Sequence, residues 1–387
     1  MPLSESPLHF LKDHAADDPA RIRLAGKDIC GYPANFVADQ IDARRKQVRR
    51  LPSFCNNPHI IFPPALNLEQ CSSEATAEIK ADLISRWGGK TNHLLDLTAG
   101  FGVDALALSK IFEIVMACEP NDSLRELASD NLSRLSKGNI QWKGEPAESV
   151  LKTKPQADWI YIDPSRRAGG SKVVLLQDCS PDVTALKQAM LEAAPNVLIK
   201  ASPMLDLTLA LKSLTETSHV AVVSVANECR ELLFHLSRGH RGEPEIICLN
   251  KLTDGSMQEF VFHPSEERNA RSEFSEPLSF LFEPNASVLK AGAFRLTAER
   301  HGLHRLSETT HIYTGQLPVA AFPGRTFEII RPLERKEPGL RAGIITRNHP
   351  LRPEEIAKKY GITDGDDGYV IAFSSRTEKY LLLTRKV

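Results

Sequence analysis

The sequence has 387 residues, which is too long for one ordinary hydrophobic core, so two or three domains are expected. Its composition, 42% hydrophobic and 25% charged, is that of a folded globular protein and excludes wholesale disorder. The net charge of −1 excludes a protein that coats nucleic acid through bulk electrostatics.

Residues 1–69 form the first predicted region, which we expect to be mainly helical with proline-rich joints such as "NNPHIIFPPALNL". A basic run at 43–50, "ARRKQVRR", is typical of a solvated helix face. The amino terminus has no apolar run of signal-peptide length, and nowhere do about 18 uncharged apolar residues occur together. The sequence therefore predicts a cytoplasmic protein without a membrane segment.

Residues 70–265 alternate strand-like apolar runs with segments of helical periodicity. A helix, "SSEATAEIKADLISRW", precedes them and is capped by Ser72 or Ser73. The strand-like runs are "HLLDLTA", "EIVMACE", "IQWKG", "DWIYID", "NVLIKAS" and "HVAVVSV". This alternation predicts an α/β, doubly wound parallel sheet with helices on both faces. Because such sheets bind ligands outside the carboxyl ends of their strands, the residues just after each strand are the candidates for a site.

A glycine turn follows the first of these strands, in "LLDLTAGFGVDALALS". Asp96 ends the strand, and Gly100 and Gly102 lie in the turn that opens a helix. With Ala105 the turn also satisfies the dinucleotide fingerprint, so a nicotinamide-dependent enzyme competes with other readings. Asp96 and Asp104 would repel a pyrophosphate but attract the cationic groups of S-adenosylmethionine. The charges therefore favour S-adenosylmethionine, although Asp104 could equally be a helix-dipole acid.

Two further acids follow later strands. Glu119 lies 19 residues beyond Gly100, near the spacing at which an acid holds ribose hydroxyls in nucleotide-binding sheets. Glu145, in "KGEPAESV", could accept a hydrogen bond from an adenine amine, or it could be a surface turn acid.

The motifs "LLDLTAGFGVDALALS", "CEPN", "GEPAESV" and "YIDPSRR", in this order, resemble those of class I S-adenosylmethionine-dependent methyltransferases. The resemblance covers residues 70–265 and implies a seven-stranded, Rossmann-like sheet that binds S-adenosylmethionine as cofactor. The implied cofactor-binding residues are Ser72, Ser73, Asp96, Ala99, Gly100, Gly102, Asp104, Glu119, Pro120, Glu145 and Asp163. For the two serines, helix capping alone is the alternative role.

The stretch "YIDPSRR" follows the fourth strand, where such enzymes place the transferred methyl group. The resemblance implies that Asp163 and the Pro164 backbone align the nucleophile, with Ser165 and Arg166 also at the catalytic position. Ser165 and Arg166 replace a second proline and an aromatic residue, so a stacked, flipped base becomes less certain. Arg166 and Arg167 are suited to binding an anionic substrate, or they pair with acids of this chain.

Downstream, residues 266–313 are predicted to be a short linking subdomain and residues 314–387 a small α+β domain. The latter carries 13 Lys or Arg against 9 Asp or Glu, which is the charge expected either for phosphate-backbone contact or for a solvated surface. The whole arrangement resembles bacterial methyltransferase-like proteins with a THUMP-like carboxyl-terminal domain, and THUMP domains are associated with RNA binding. Arg347 is a candidate substrate-binding residue of this domain.

The predicted function is methylation of RNA, and the terminal domain is expected to bind that RNA. Two alternatives remain open: an RNA-binding protein whose methyltransferase fold has lost turnover, and a methyltransferase for a small anionic metabolite. The seven cysteines include no C-x-x-C pair, so neither disulfides nor a metal site are expected. The oligomeric state is left open.

Overall fold

The structure is a computed structural model that describes residues 11, 13–14, 16–26, 28–166 and 175–387, without the side chains of residues 25 and 166. These residues divide into two compact units, one running to Glu216 with Phe234–His240 added, and one formed by Thr217–Leu233 and Arg241–Val387.

Helices dominate the chain ahead of the first strand. They are α1 (Pro19–Ala25), α2 (Ala34–Gln47), α3 (Pro52–Asn56), α4 (Ala65–Gln70) and α5 (Glu74–Trp87). Ser73 caps α5, because its side chain accepts a hydrogen bond from the backbone N–H of Thr76. Gly88 follows the last residue of α5 at a φ of 79°, a conformation that favours glycine.

Strands and helices then alternate along the chain. The elements are β1 (His93–Asp96), α6 (Val103–Leu108), β2 (Ile114–Cys118), α7 (Asp122–Ser133), β3 (Ile140–Lys143), α8 (Ala147–Lys152), β4 (Trp159–Ile162), β5 (Ser165–Arg166), β6 (Cys179–Ser180), α9 (Val183–Ala193), β7 (Asn196–Ala201), α10 (Leu207–Ser213), β8 (Thr217–Val225), β9 (Glu228–Ser237), β10 (Glu245–Lys251), β11 (Met257–Phe262) and α11 (Pro264–Asn269). Every residue of β4 is buried, as expected for a central strand covered on both faces.

The large sheet has, among the described residues, nine strands in the order β11-β10-β8-β9-β7-β4-β1-β2-β3, rather than the expected seven. The additional strands are β10 and β11, which pair antiparallel with each other. Between β8 and β9, Ala226 and Asn227 adopt positive φ angles in a tight turn, and the apolar run that follows it forms β9.

The second unit contains a separate sheet. Its remaining elements are β12 (Phe280–Pro284), α12 (Ala286–Ala291), α13 (Phe294–His301), β13 (His304–Arg305), β14 (Tyr313–Gly315), β15 (Gly324–Pro332), β16 (Gly343–Arg347), α14 (Pro353–Tyr360), β17 (Tyr369–Ser374) and β18 (Lys379–Lys386). The strand order is β13-β14-β12-β15-β18-β17-β16. The expected boundary at residues 313 and 314 falls within β14, so strands from both sides of it share this sheet. The boundaries expected after residues 69 and 265 stay predictions.

Candidate functional site

Four charged side chains lie at the carboxyl ends of neighbouring parallel strands in the first unit. Strand β1 pairs in parallel with β2 and with β4, and β4 pairs in parallel with β7. Asp96 ends β1, Glu119 follows β2, Asp163 follows β4, and Lys200 is the penultimate residue of β7. The predicted acids therefore share one edge of the sheet, together with a lysine that the sequence analysis did not select.

The glycine turn has the backbone conformation that its sequence predicts. Gly100 and Gly102 have φ angles of 54° and 86°, and the N–H of Gly102 donates to the carbonyl of Ala99 at 2.8 Å. A Cβ on Gly102 would lie 2.7 Å from a methyl carbon of Leu132, whereas a Cβ on Gly100 would meet no heavy atom within 4 Å. Gly102 is thus required for packing, and the backbone at Gly100 faces open space.

Asp96 is a buried carboxylate with one unsatisfied oxygen. Its Oδ1 accepts a hydrogen bond from the N–H of Thr98 at 3.0 Å, while Oδ2 has no hydrogen-bond partner among the described residues. Burial raises the pKa of this carboxyl well above its ordinary value, and the negative charges of Asp104, Asp163 and Glu119 raise it further. A ligand cation at Oδ2 would supply the missing partner.

Asp104 has the opposite electrostatic environment. Its carboxylate lies 3.1 Å from Nζ of the fully buried Lys80, and it accepts hydrogen bonds from Ser72 Oγ at 2.7 Å and from Tyr161 OH at 2.8 Å. Burial alone would raise the pKa of Asp104, but the charges of Lys80 and Lys200 and these two hydrogen bonds hold it below its ordinary value. Because Asp104 is neutralised internally, only the ionised form of Asp96 would repel a pyrophosphate.

The serines ahead of α5 have two separate roles in the structure. Ser72 joins the Asp104 cluster, and Lys80 Nζ also donates to its Oγ at 3.2 Å. Ser73 caps the helix, which is the alternative that the sequence analysis left open. Direct contact of Ser72, Ser73 or Asp104 with a cofactor stays a prediction.

Two hydrogen bonds hold Asp163 in place, one through its backbone and one through its side chain. Its backbone N–H donates to Thr98 Oγ1 at 2.7 Å, and its Oδ2 accepts from Lys200 Nζ at 2.5 Å. Thr98 belongs to the segment between Asp96 and the glycine turn, so the turn and the residue after β4 are directly linked. A lysine inside the apolar run "NVLIKAS" was the signal in the sequence that could have identified Lys200.

Glu119 and Glu145 are both accessible from solvent. Glu119 is half-buried and its Oε1 accepts a hydrogen bond from the N–H of Asn121 at 2.8 Å. Glu145 lies 3.4 Å from Lys143 Nζ with 44% of its side chain exposed. Pro120 is exposed. Their contacts with a nucleotide stay predictions.

The segment after Asp163 is described only in part. Pro164 is half-buried, and Ser165 is exposed, with its Oγ donating to the carbonyl of Ser180 at 3.3 Å. The backbone of Ser165 and Arg166 pairs antiparallel with that of Cys179 and Ser180. The side chain of Arg166 and the whole of Arg167 lie outside the described residues, so their contacts with substrate stay predictions.

In the second unit, Arg347 is engaged in an ion pair. Its guanidinium donates to Glu283 Oε1 at 2.5 Å, and Arg325 contacts the other oxygen of the same buried carboxylate. Arg347 remains 37% exposed. An anionic substrate would therefore have to compete with Glu283 for the guanidinium of Arg347.

The described part of the chain contains neither a cluster of metal ligands nor a membrane-spanning helix. No group of three or more His, Cys, Asp or Glu side chains there is arranged to hold a metal ion. No helix within it has the length and apolar character needed to cross a bilayer.

Comparison with solved structures identifies a relative that matches the whole chain. The crystal structure of a candidate methyltransferase from Porphyromonas gingivalis is 29% identical, with 100% of both chains covered and a TM-score of 0.85. A candidate RNA methyltransferase from Pyrococcus horikoshii is 13% identical, covering 46% of this chain and 91% of its own, with a TM-score of 0.35. A candidate methyltransferase from Streptococcus mutans, in complex with SAH, is 16% identical, covering 42% and 96%, with a TM-score of 0.31. The last two are too distant to support an argument.

The comparisons define the fold class. A family model described as a ferredoxin-like domain matches residues 280–323, in the second unit. No curated protein matches the sequence significantly. The chain therefore has an α/β, Rossmann-like fold of the methyltransferase type with a separate small ferredoxin-like domain, as the sequence predicted at the level of fold class.

We expect Lys80→Met to destabilise the protein by about 3–5 kcal/mol, because it leaves the buried Asp104 carboxylate without its cation. Lys110→Met is the matched control, since Lys110 forms a 3.9 Å ion pair with Glu78 and both side chains are largely exposed. It should cost less than about 1 kcal/mol. Urea denaturation measures the stability of both variants. Equal stability of the Lys80 variant and the native protein would contradict the role of Lys80 as the cation that neutralises Asp104.

The raised pKa of Asp96 predicts how stability depends on pH. The unfolded chain releases this proton near the ordinary value of 3.8, whereas the folded protein retains it to higher pH. The stabilising contribution is therefore complete below that value and is lost as pH rises through the folded-state pKa. We expect the free energy of unfolding of the native protein, relative to Asp96→Asn, to fall with increasing pH in this window. A constant difference would exclude a raised pKa.

Proposed function

We propose that this protein is an S-adenosylmethionine-dependent methyltransferase that acts on RNA. The observation that carries the proposal is the unpaired, buried Oδ2 of Asp96 beside the glycine turn, at the same strand edge as Glu119 and Asp163. The 29% identity over the full length of a candidate methyltransferase supports the same reaction class.

The donor groups at the edge fit this cofactor. Asp96 Oδ2 is suited to accept a hydrogen bond from an ammonium group, and backbone N–H groups near Gly100 are suited to a carboxylate. Glu119 would hold the ribose hydroxyls and Glu145 the adenine amine. A pyrophosphate would instead place its negative charge against the ionised form of Asp96, which disfavours a nicotinamide dinucleotide.

The cofactor supplies a methyl group on a sulfonium, which departs as a neutral thioether. Little acid–base chemistry is then required of the protein, and alignment of acceptor and methyl carbon provides most of the acceleration. Asp163 provides that alignment, because Thr98 fixes its backbone and Lys200 fixes one of its carboxylate oxygens.

One part of the second unit has a basic charge that favours RNA as the substrate. Its segment from residue 314 onward has an excess of basic residues, and Arg335, Lys336, Arg341 and Arg352 are exposed. Exposed cations grouped in one domain are suited to a phosphate backbone. We propose a THUMP-like role in RNA binding for this domain on that basis.

Cofactor binding can be tested without turnover. Glu119→Ala should weaken binding of S-adenosylhomocysteine by about 1–3 kcal/mol, because hydrogen bonds between a carboxylate and the ribose hydroxyls are lost. Glu113→Ala is the control, since Glu113 is an exposed acid that precedes the other end of β2. Isothermal titration calorimetry measures both variants. Tight binding of NAD, with no response to S-adenosylhomocysteine, would overturn the cofactor assignment.

The substrate is tested by transfer of labelled methyl groups into unmodified tRNA and rRNA transcripts, total protein and small-molecule extracts. We expect label in RNA, and we expect Arg335→Gln with Lys336→Gln to lower RNA affinity and to reduce its salt slope by roughly one per lost phosphate contact. Lys110→Gln, an exposed lysine of the first unit, is the control. Label only in small molecules would favour a metabolite enzyme, and RNA binding without label would favour a protein that has lost turnover.

A further inference from the structure

Lys200 places a cation at the position where the proposed reaction occurs. Its Nζ lies 2.5 Å from Asp163 Oδ2, with 13% of the Lys200 side chain and 27% of the Asp163 side chain exposed. The preceding residues of β7, Leu198 and Ile199, are fully buried. Lys200 thus extends from the apolar part of the strand to an edge that solvent, and therefore a substrate, can reach.

The pair engages one of the two carboxylate oxygens of Asp163. Oδ2 of Asp163 accepts from Lys200, and 27% of the Asp163 side chain is exposed. A group that approaches this edge therefore meets an acceptor oxygen and an ammonium side by side. The edge could both accept a proton from the methyl acceptor and donate a hydrogen bond to it.

This arrangement distinguishes between nitrogen and oxygen as the methyl acceptor. An amine nitrogen gains positive charge as it forms a bond to the methyl carbon, and an adjacent ammonium would oppose that change. A hydroxyl oxygen must lose its proton and gains negative character as it does so. An ammonium stabilises that charge, and a neighbouring carboxylate takes the proton.

The residues that follow Asp163 are consistent with an acceptor other than a base. Pro164 and Ser165 supply no ring on which a flipped base could stack, and Arg166 stands at the position of the expected aromatic residue. A base would lose a stacking contact worth about 1–3 kcal/mol. The hydroxyl of a ribose does not need this contact.

We propose that Lys200 and Asp163 act together on a hydroxyl acceptor, and that this acceptor is a ribose 2′-hydroxyl of RNA. The inference rests on the proposed function and specifies the acceptor atom of the same site. The hydroxyl oxygen forms the new bond to the methyl carbon, and the carbon–sulfur bond breaks with its electron pair moving to sulfur. The hydroxyl proton passes to the carboxylate of Asp163 and then to solvent, while Lys200 remains protonated throughout.

The native protein tests the acceptor atom directly. RNA transcripts labelled by the protein are hydrolysed with alkali, which requires a free 2′-hydroxyl beside each phosphate. Methylation of that hydroxyl leaves the label in alkali-resistant dinucleotides, and this is the expected result. Label in mononucleotides with a methylated base would overturn the inference but leave the proposed function intact. If no label enters RNA while S-adenosylhomocysteine binds, the proposed function fails and the inference falls with it.

Variants test the role of the ammonium. Lys200→Met should lower the single-turnover rate about 100-fold or more and leave the affinity for S-adenosylhomocysteine nearly unchanged. Lys200→Arg should restore part of the rate, because it retains the charge. Lys187→Met is the matched control, since Lys187 forms a 2.7 Å ion pair with Glu216 and is 19% exposed. The control should lose stability similarly and keep its rate.

Two results would contradict a role for Lys200 in the reaction. The first is a Lys200→Met protein that methylates RNA at the native rate in its folded fraction. The second is an equal loss of rate in the Lys187 and Lys200 variants, because that would reflect stability alone. Thermal unfolding of each variant measures the folded fraction.

Discussion

The candidate site depends on the buried ion pair between Lys80 and Asp104. A lysine that is fully removed from water is tolerated only when an opposite charge and further hydrogen bonds replace its hydration. Asp104 provides the charge, and Ser72 and Tyr161 complete the cluster. The cluster thereby joins the segment before α5, helix α5 itself, the helix that follows the glycine turn, and the central strand β4. These connections position the elements that carry Asp96, Asp163 and Lys200 at the edge of the sheet.

Asp96 and Asp104, two acids of the same motif, have been given opposite properties by their surroundings. Asp104 is compensated within the protein, which keeps it ionised, whereas Asp96 lacks a partner for one oxygen and its pKa is raised. An internally satisfied acid contributes to structure, and an unsatisfied one is available to a ligand. The edge can therefore attract a cationic group without leaving two uncompensated negative charges in the free protein.

Much of the site could be predicted from sequence because its signals are local. The glycines of the turn and the acids at the strand ends are adjacent to recognisable apolar runs, so their position on one edge follows from the parallel sheet. The partners Lys80, Tyr161 and Lys200 were missed, because a lysine or tyrosine within an apolar run does not show which distant carboxylate it meets. The strands β10 and β11 were missed for a similar reason, since their place in the sheet depends on pairing. In the second unit, Arg347 looked available in sequence, and its contact with Glu283 is visible only in the structure.

The hydrogen bond from the Asp163 backbone N–H to Thr98 Oγ1 links the segment before the glycine turn to the residue that follows β4. Thr98 is two residues from Asp96 and two from Gly100, so a ligand that restrains the glycine turn would also restrain the backbone of Asp163. If both proposed ligands restrain this hydrogen bond, each changes the affinity for the other by the same factor, because coupling between two binding sites is reciprocal. Positive coupling of this kind would favour a ternary complex over either binary one and would limit the time for which a bound methyl donor faces water.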